Sequence, residues 1–403
     1  MKKEKLNVFF ENFLKTNKIF LEKKTLQISY IPDTVKHRED QINQIASILA
    51  PSLKLERPSN IFIYGKTGTG KTVSVKHITS NMVELAKKKE IPLEVIYINC
   101  KLKRVADTEY RIIAQLGREL GKTIPNTGLP TDEVYRLFFD ALEKKKVLLL
   151  IVLDEIDQLI NKAGDAVLYN LTRINEELKD SQISIIGISN NSRFIELVDP
   201  RVKSSLSEED VLFPPYNALQ LQDILRHRSK KAFKKDVLKQ GVVEKCAAYS
   251  AKEHGDARRA LDLLRVAGEV AERECSEKVL IDHIDIAEEK IEHDRVLDII
   301  TTQPKQSQAT LYSILTIKSN QKEMILTGQI YDVYNKLCNQ IGLKSLTQRR
   351  IGDIIAELDM LGIINAKVIS KGRYGRTREI ALSTPDSTNN KIKQLLEEGL
   401  DLS

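Results

Sequence analysis

Between about residues 60 and 215 the chain alternates short apolar runs with longer amphipathic stretches. The runs are Asn60–Tyr64, Leu93–Asn99, Val147–Leu153 and Ile183–Ser189, each bounded by turn or polar residues and rich in Ile and Val. Runs of this kind are expected as strands buried on both faces, and the intervening helices make the region an α/β unit with a parallel sheet. Just ahead, His37-Arg38-Glu39-Asp40 opens a helical pattern that places Ile42, Ile45, Ile48 and Leu49 on one face.

From about 216 to 290 the apolar spacing is helical throughout, as in Leu219, Ile224 and Leu225, then Val242, Val243 and Cys246, then Ala257, Leu261 and Leu264. A small all-helical domain is predicted there. From about 295 a second helical set ends in the alternating segment Ile363 to Leu382, which Lys371-Gly372-Arg373-Tyr374-Gly375-Arg376 interrupts. That reads as a β-hairpin with a basic tip, and three helices followed by a hairpin is winged-helix order. The first thirty or so residues are Lys-rich, with apolar anchors at Phe9, Phe10, Phe13, Ile19 and Phe20, and predict a short helix or a partly ordered arm.

Composition narrows the class. A chain of 403 residues with 41% hydrophobic and 30% charged residues is a globular sequence of about two or three domains. The net charge of +7 fits a nucleic-acid binder without demanding one. Cys100, Cys246, Cys275 and Cys338 lie far apart and the histidines are scattered. Neither a disulfide framework nor a metal cage of side chains is expected, and a reducing compartment is. The start, Met1-Lys2-Lys3-Glu4-Lys5, lacks an apolar core, and no run approaches the roughly 18 apolar residues of a membrane span. The expectation is a cytoplasmic protein with no membrane partner.

Candidate chemistry begins at Gly65-Lys66-Thr67-Gly68-Thr69-Gly70-Lys71-Thr72, which matches G-x-x-x-x-G-K-[ST] with a strand before it and a helix after it. Glycines let backbone N–H groups turn inward onto phosphate oxygens, and the following helix N-terminus adds its dipole. Lys71 brings a point charge to the terminal phosphates, and Thr72 a hydroxyl for Mg²⁺. The strand Val147–Leu153 then delivers Asp154 and Glu155 at its end. Asp154 is expected on Mg²⁺, and Glu155 as the base that polarises the attacking water. Asn190 follows the last apolar run. A strand beside the P-loop strand would bring its amide to the γ-phosphate, although a strand-end Asn also suits an ordinary turn.

Taken with Asp199-Pro200-Arg201-Val202-Lys203-Ser204-Ser205-Leu206, Phe213-Pro214-Pro215-Tyr216 and Gly255-Asp256-Ala257-Arg258-Arg259-Ala260-Leu261, these motifs resemble the archaeal Orc/Cdc initiator family. The resemblance runs from about Tyr30 to about Leu382. It implies an AAA+ P-loop ATPase core with a parallel sheet, an all-α lid and a C-terminal winged helix. The domains would be a basic arm (1–29), the nucleotide-binding domain (30–215), the lid (216–294), the winged helix (295–390) and a tail (391–403). It implies Arg201 as an arginine finger acting on a neighbouring subunit's ATP. Arg258 would be the lid arginine that contacts phosphate, favoured over its neighbour Arg259. Tyr216, Arg228, and the segment Tyr30–Ile42 with Ile31 and Arg38 would line the nucleotide pocket. One departure is Asn191, where members often carry an acid; it bears on hydrolysis rate rather than binding.

The helix that begins near Leu343 has an apolar face of Ile351, Ile354, Ile355, Leu358 and Leu361 behind a polar, basic first turn. Gln348, Arg349 and Arg350 there suit a recognition helix. The hairpin offers Lys371, Arg373, Tyr374, Arg376 and Arg378 for phosphate or minor-groove contact. A second stretch, Leu120–Thr131 with Lys122 and Thr127, resembles the family's DNA-touching insertion, though its composition is that of a common Pro/Gly loop. The resemblance implies ATP/ADP and Mg as cofactors, and origin duplex DNA, the replicative helicase and paralogous initiator subunits as partners. It also implies slow, switch-like hydrolysis and association with the nucleoid. Rival readings are a clamp-loader-like assembly ATPase, an ATP-gated transcription regulator, or a terminal helical domain used for protein contact.

Overall fold

The computed structural model describes residues 19–27, 29–101, 107–191, 194, 198–206, 208–320, 325–370, 376–383 and 386–402, without the side chains of Asn320, Ser370, Arg376 and 386–388. The chain divides into two compact units, Met1–Asp285 and Ile286–Ser403, each described by itself.

All four apolar runs are strands of one sheet in the first unit: β1 (Ile61–Tyr64), β2 (Leu93–Asn99), β3 (Leu148–Asp154) and β4 (Gln182–Ser189). A fifth strand, β5 (Glu209–Leu212), joins them in the order β2-β3-β4-β1-β5. Every pairing is parallel. β3 is buried at all seven positions, as a central strand covered on both faces must be.

Alternation along the strands divides the core into two layers. Phe62, Ile96, Leu149 and Ile151 pack with Ile112 and Phe138 on one face. Those two residues come from the paired helices α3 (Glu109–Glu119) and α4 (Thr131–Lys145). Ile61, Ile63, Leu150 and Ile186 pack with Ile45, Leu49, Val75 and Ile78 on the other. These come from α1 (Glu39–Leu49) and α2 (Lys71–Lys88). Each such side chain stabilises the fold by roughly 1.5–3 kcal/mol when fully buried. Helices α5 (Ile156–Ala163), α6 (Ala166–Arg173) and α7 (Pro200–Leu206) complete this part.

The lid consists of α8 (Ala218–Ala232), α9 (Val242–Lys252) and α10 (Ala257–Arg273). Asn217 and Gln220 form a reciprocal cap at the start of α8. The arm expected over 1–29 does not stay separate from residue 19 onward. Ile19 and Phe20 are buried, and the Phe20 ring centre lies 4.7 Å from that of Phe233. Leu21 donates its N–H to the Ala232 carbonyl at 2.8 Å, so residues 19–27 belong to the lid's packing.

Helix α11 (Ile281–Thr302) carries the chain into the second unit, which holds α12 (Lys305–Asn320), α13 (Thr327–Gln340) and α14 (Gln348–Met360). The hairpin of β7 (Ile364–Ser370) and β8 (Arg376–Leu382) gains a short third strand, β6 (Ile325–Leu326), in the order β6-β8-β7. This is a winged helix. The expected tail from 391 instead lies largely within α15 (Asp386–Gly399) and the residues just after it, where Ile392, Leu396 and Leu400 are buried in the same core. Their four-residue spacing is the reason. Among the described residues no helix is long and apolar enough to cross a membrane.

Candidate nucleotide-binding site

The loop after β1 curls so tightly that two of its glycines have no substitute. Gly68 has φ 72°, and a Cβ there would sit 1.6 Å from the Asp256 carboxylate. Gly70 has φ 92°, and a Cβ would sit 2.6 Å from the Tyr216 hydroxyl. Both conformations are cheap only for glycine. The loop is thus built against Tyr216, which precedes the lid, and Asp256 within it.

Lys71 opens α2 and is buried, 5% exposed. Its ammonium donates to the Gly65 and Lys66 carbonyls, each at 2.7 Å, and to Asn190 Oδ1 at 2.9 Å. Burial first, then the nearby Arg258 charge, pull its pKa down to about 8, partly opposed by Asp154, Asp256 and Asp157. An ammonium held this way, facing a second cation, is a seat for an anion.

Beside it the Thr72 hydroxyl donates to Asp154 Oδ2 at 2.9 Å. Tyr97 of β2 donates its hydroxyl to the same oxygen, and the Glu155 N–H donates to Oδ1 at 3.0 Å. A hydroxyl and a carboxylate at the mouth of a phosphate seat are hard oxygen donors of the kind Mg²⁺ takes, so Thr72 and Asp154 fit that ion. Glu155 stands at φ 56°, a left-handed conformation that a non-glycine residue holds at some energetic expense. Its carboxylate lies 3.9 Å from the exposed Lys101 ammonium. Parallel pairing sets Ser189 at the end of β4 opposite Tyr64, which is why Asn190 arrives at Lys71. Near Asn191 an acid does stand: Asp157 accepts from the Ser189 hydroxyl at 2.8 Å.

The lid closes over this seat through a helix end. Asp256 caps α10, accepting from Arg258 N at 2.7 Å and Arg259 N at 3.2 Å. Ala257 N donates to the Gly68 carbonyl at 3.1 Å. Arg258 lines the cavity, whereas Arg259 turns to Glu253, with Nε 3.3 Å from its carboxylate. Arg228 is buried with its guanidinium 4.5 Å from the Tyr30 ring centre, and its Nη1 finds no partner among the described residues. A buried, unpartnered donor on a cavity wall suits a polar ligand.

These groups surround one cavity of ≈ 720 Å³. Of the residues singled out from sequence, Gly68, Thr69, Gly70, Lys71, Thr72, Asp154, Glu155, Asn190, Tyr216, Arg228, Arg258 and Ile31 line it. Lys66 and Thr67 are on the exposed side of the loop, and Gly65 packs against Phe213. Arg38 is not on the wall. It lies behind the loop, 2% exposed, with Nε donating to the Thr69 carbonyl at 2.8 Å. Arg201 is exposed and elsewhere, gripping Asp199 with Nε and Nη2 at 3.0 Å each. Tyr97 was not singled out. Its strand is half-buried and also carries Glu94 and Asn99, so polarity gave no signal for it.

In the second unit Gln348, Arg349 and Arg350 are all exposed in the first turn of α14, whose N-cap is Thr347. Arg378 is engaged, its guanidinium donating to the Gly352 carbonyl of α14. Lys371, Arg373 and Tyr374 and the Arg376 side chain lie outside the described residues. In the first unit, Lys122 and Thr127 sit on the loop between α3 and α4. The Lys122 N–H is tied to Gly117 O at 3.0 Å, and Thr127 is exposed.

The family described as an AAA domain matches residues 54–193, the Cdc6 AAA+ ATPase-type lid domain matches 222–289, and the CDC6 C-terminal winged helix domain matches 298–391. An ORC1-type DNA replication protein of Pyrococcus abyssi is 54% identical over 96% of this chain and 93% of its own length. ORC1-type DNA replication protein 1 of Methanosarcina mazei is 50% identical over 99% and 95%. The structure of the Aeropyrum pernix ORC1 protein in complex with DNA is 42% identical, with a TM-score of 0.81 over 95% of this chain and 97% of that one.

Proposed function

Since this chain belongs to the archaeal ORC1-type/Cdc6 replication-initiator family, an AAA+ ATPase with lid and winged helix, we propose that it is an ATP-dependent initiator. It binds origin duplex DNA, switches between ATP and ADP forms with slow hydrolysis, and helps recruit the replicative helicase alongside paralogous subunits on the nucleoid. The observation that carries the nucleotide half is the buried Lys71 ammonium, aimed by two P-loop carbonyls and Asn190, with Thr72 and Asp154 paired beside it.

In this reading Lys71 and Arg258 bind the terminal phosphates, and the loop amides from Gly65 to Thr72 wrap them. Thr72 and Asp154 would hold Mg²⁺, which would neutralise phosphate charge. Glu155 takes a proton from the attacking water, and Asn190 orients that water. Tyr216, Arg228 and Ile31 flank the base and sugar. The exposed Arg201 serves a neighbouring subunit, so turnover by a lone subunit is slow. Exposed Gln348, Arg349 and Arg350 on α14 support docking in the major groove, and the Aeropyrum pernix ORC1 protein in complex with DNA supports DNA as the partner.

The deciding experiment pairs calorimetric titration of ATP and ADP with footprinting on genomic DNA, with and without ATP. Tight nucleotide binding and ATP-dependent protection at origins are expected. A chain indifferent to adenine nucleotides, or one protecting promoters instead, overturns the proposal.

A further inference from the structure

Asp154 carries more donors than a solvated strand end would. Its Oδ1 accepts from the Glu155 N–H at 3.0 Å, and its Oδ2 accepts from Thr72 at 2.9 Å and from the Tyr97 hydroxyl. The Glu155 donor is backbone, and Thr72 belongs to the P-loop helix. Tyr97 comes from the neighbouring strand, where the register pairs it with Val152 and sets Asn99 opposite Asp154. Its ring is fixed in turn, with the Lys76 ammonium of α2 4.1 Å from the ring centre. Both Tyr97 and Lys76 face the cavity.

We propose that Tyr97 is a positioning residue for the divalent cation: its hydroxyl locks the Asp154 carboxylate in the orientation that, with Thr72, receives the metal. The argument is one of chemistry and freedom. A carboxylate on a strand end rotates about its last bond, and every rotation away from Thr72 spoils a site built from those two oxygens. Thr72 can keep donating its proton to Asp154 while its oxygen lone pair turns to a cation. Tyr97 donates to the same oxygen from the neighbouring strand, so the carboxylate is held by the sheet as well as by the P-loop helix. Groups that orient metal ligands in this way are typically worth about 10- to 100-fold in metal affinity.

The inference rests on the nucleotide reading above, and the test separates the two. Full-length wild type and Tyr97→Phe are titrated with ADP in EDTA; with EDTA removed, the ADP complexes are then titrated with Mn²⁺ in place of Mg²⁺, and metal binding is measured directly as loss of the free Mn²⁺ electron paramagnetic resonance signal. The expected result is a metal midpoint raised about 10- to 100-fold in Tyr97→Phe, with metal-free ADP affinity within about twofold and folding intact by circular dichroism. A mere packing role would move ADP affinity and stability but not the metal midpoint. A midpoint within about twofold of wild type overturns the proposal while leaving the nucleotide site standing. Wild type that binds no ADP strikes the site itself and the proposal with it. Should Tyr97→Phe fail to fold, Tyr97→Gln and Tyr97→Met decide. They match in length and differ in a donor, so Gln is expected nearer wild type, and equal midpoints overturn the assignment.

Discussion

The Arg38 guanidinium carbon lies 3.8 Å from the centre of the Tyr216 ring, joining the entry to α1 with the entry to the lid. The same side chain donates to the Thr69, His37 and Pro214 carbonyls. It therefore ties the P-loop to the segment from which the lid departs. Replacing it leaves the buried Thr69 carbonyl without this donor, at roughly 1–3 kcal/mol. Arg38→Met is expected to lower Tm by several degrees and to weaken nucleotide binding at least tenfold. Lysine should rescue neither effect, lacking the planar fork. Thermal melts with and without ADP check this.

Lys71 sets a pH signature. Its pKa in the folded chain is pulled down to about 8 from an ordinary 10.5. Between those values the unfolded chain holds a proton that the folded chain has released, so stability of the ligand-free protein rises with pH across that window. Below about pH 8 both states are protonated and the burial penalty is fully felt. Phosphate in the seat restores the charged form. Nucleotide binding near pH 8.5 should therefore take up protons, and affinity should fall as pH climbs further. Calorimetry in buffers of different ionisation heat measures the uptake, and Lys71→Met should abolish it.

Glu155→Gln should keep nucleotide affinity while single-turnover hydrolysis drops by about 10²–10⁴-fold. Unchanged turnover would remove Glu155 from the mechanism. Arg201→Ala should leave nucleotide binding by the lone subunit untouched, since its guanidinium is spent on Asp199 at the surface. The loss should appear only in assemblies, where adding a Glu155→Gln subunit that retains Arg201 restores hydrolysis by its neighbour.

The two kinds of arginine in the winged helix should separate cleanly. Arg349→Ala removes an exposed side chain from the first turn of α14. It should weaken duplex binding by about 1–3 kcal/mol if the contact is to a base, or lower the salt slope by about one if it is to phosphate. Arg378 instead braces β8 to Gly352. Arg378→Ala should lower Tm first, and DNA affinity only as a result. Melting and salt-dependent binding curves on both variants tell them apart.

The hydrophobic pattern carried most of the architecture because four strands are short, mostly apolar runs rich in Ile, Leu and Val. β5 escaped it for a physical reason. It is an edge strand whose exposed Glu209, Asp210 and Leu212 surround a single buried Val211, so it has no run to detect. The P-loop, Asp154 and Glu155 were legible because their chemistry demands a fixed order along the chain. Tyr97 was not, since it acts through a partner 57 positions away; Arg38 was read onto the pocket wall, whereas its partner Thr69, 31 positions away, holds it behind the loop. Arg378 was legible as a charge but not as an occupied one. The helix over Asp386–Gly399 was legible in its Ile392, Leu396 and Leu400 spacing and went unread.

Residues 19–27 are stitched to the lid through Ala232, Phe233 and Glu269, whereas Arg38 is bolted to Thr69 and Pro214. Between these anchors runs a short span of chain carrying Tyr30 and Ile31 along the nucleotide cavity. A span anchored at both ends has a bounded reach, so a lid displaced relative to the P-loop would pull on the stretch that lines the cavity beside it.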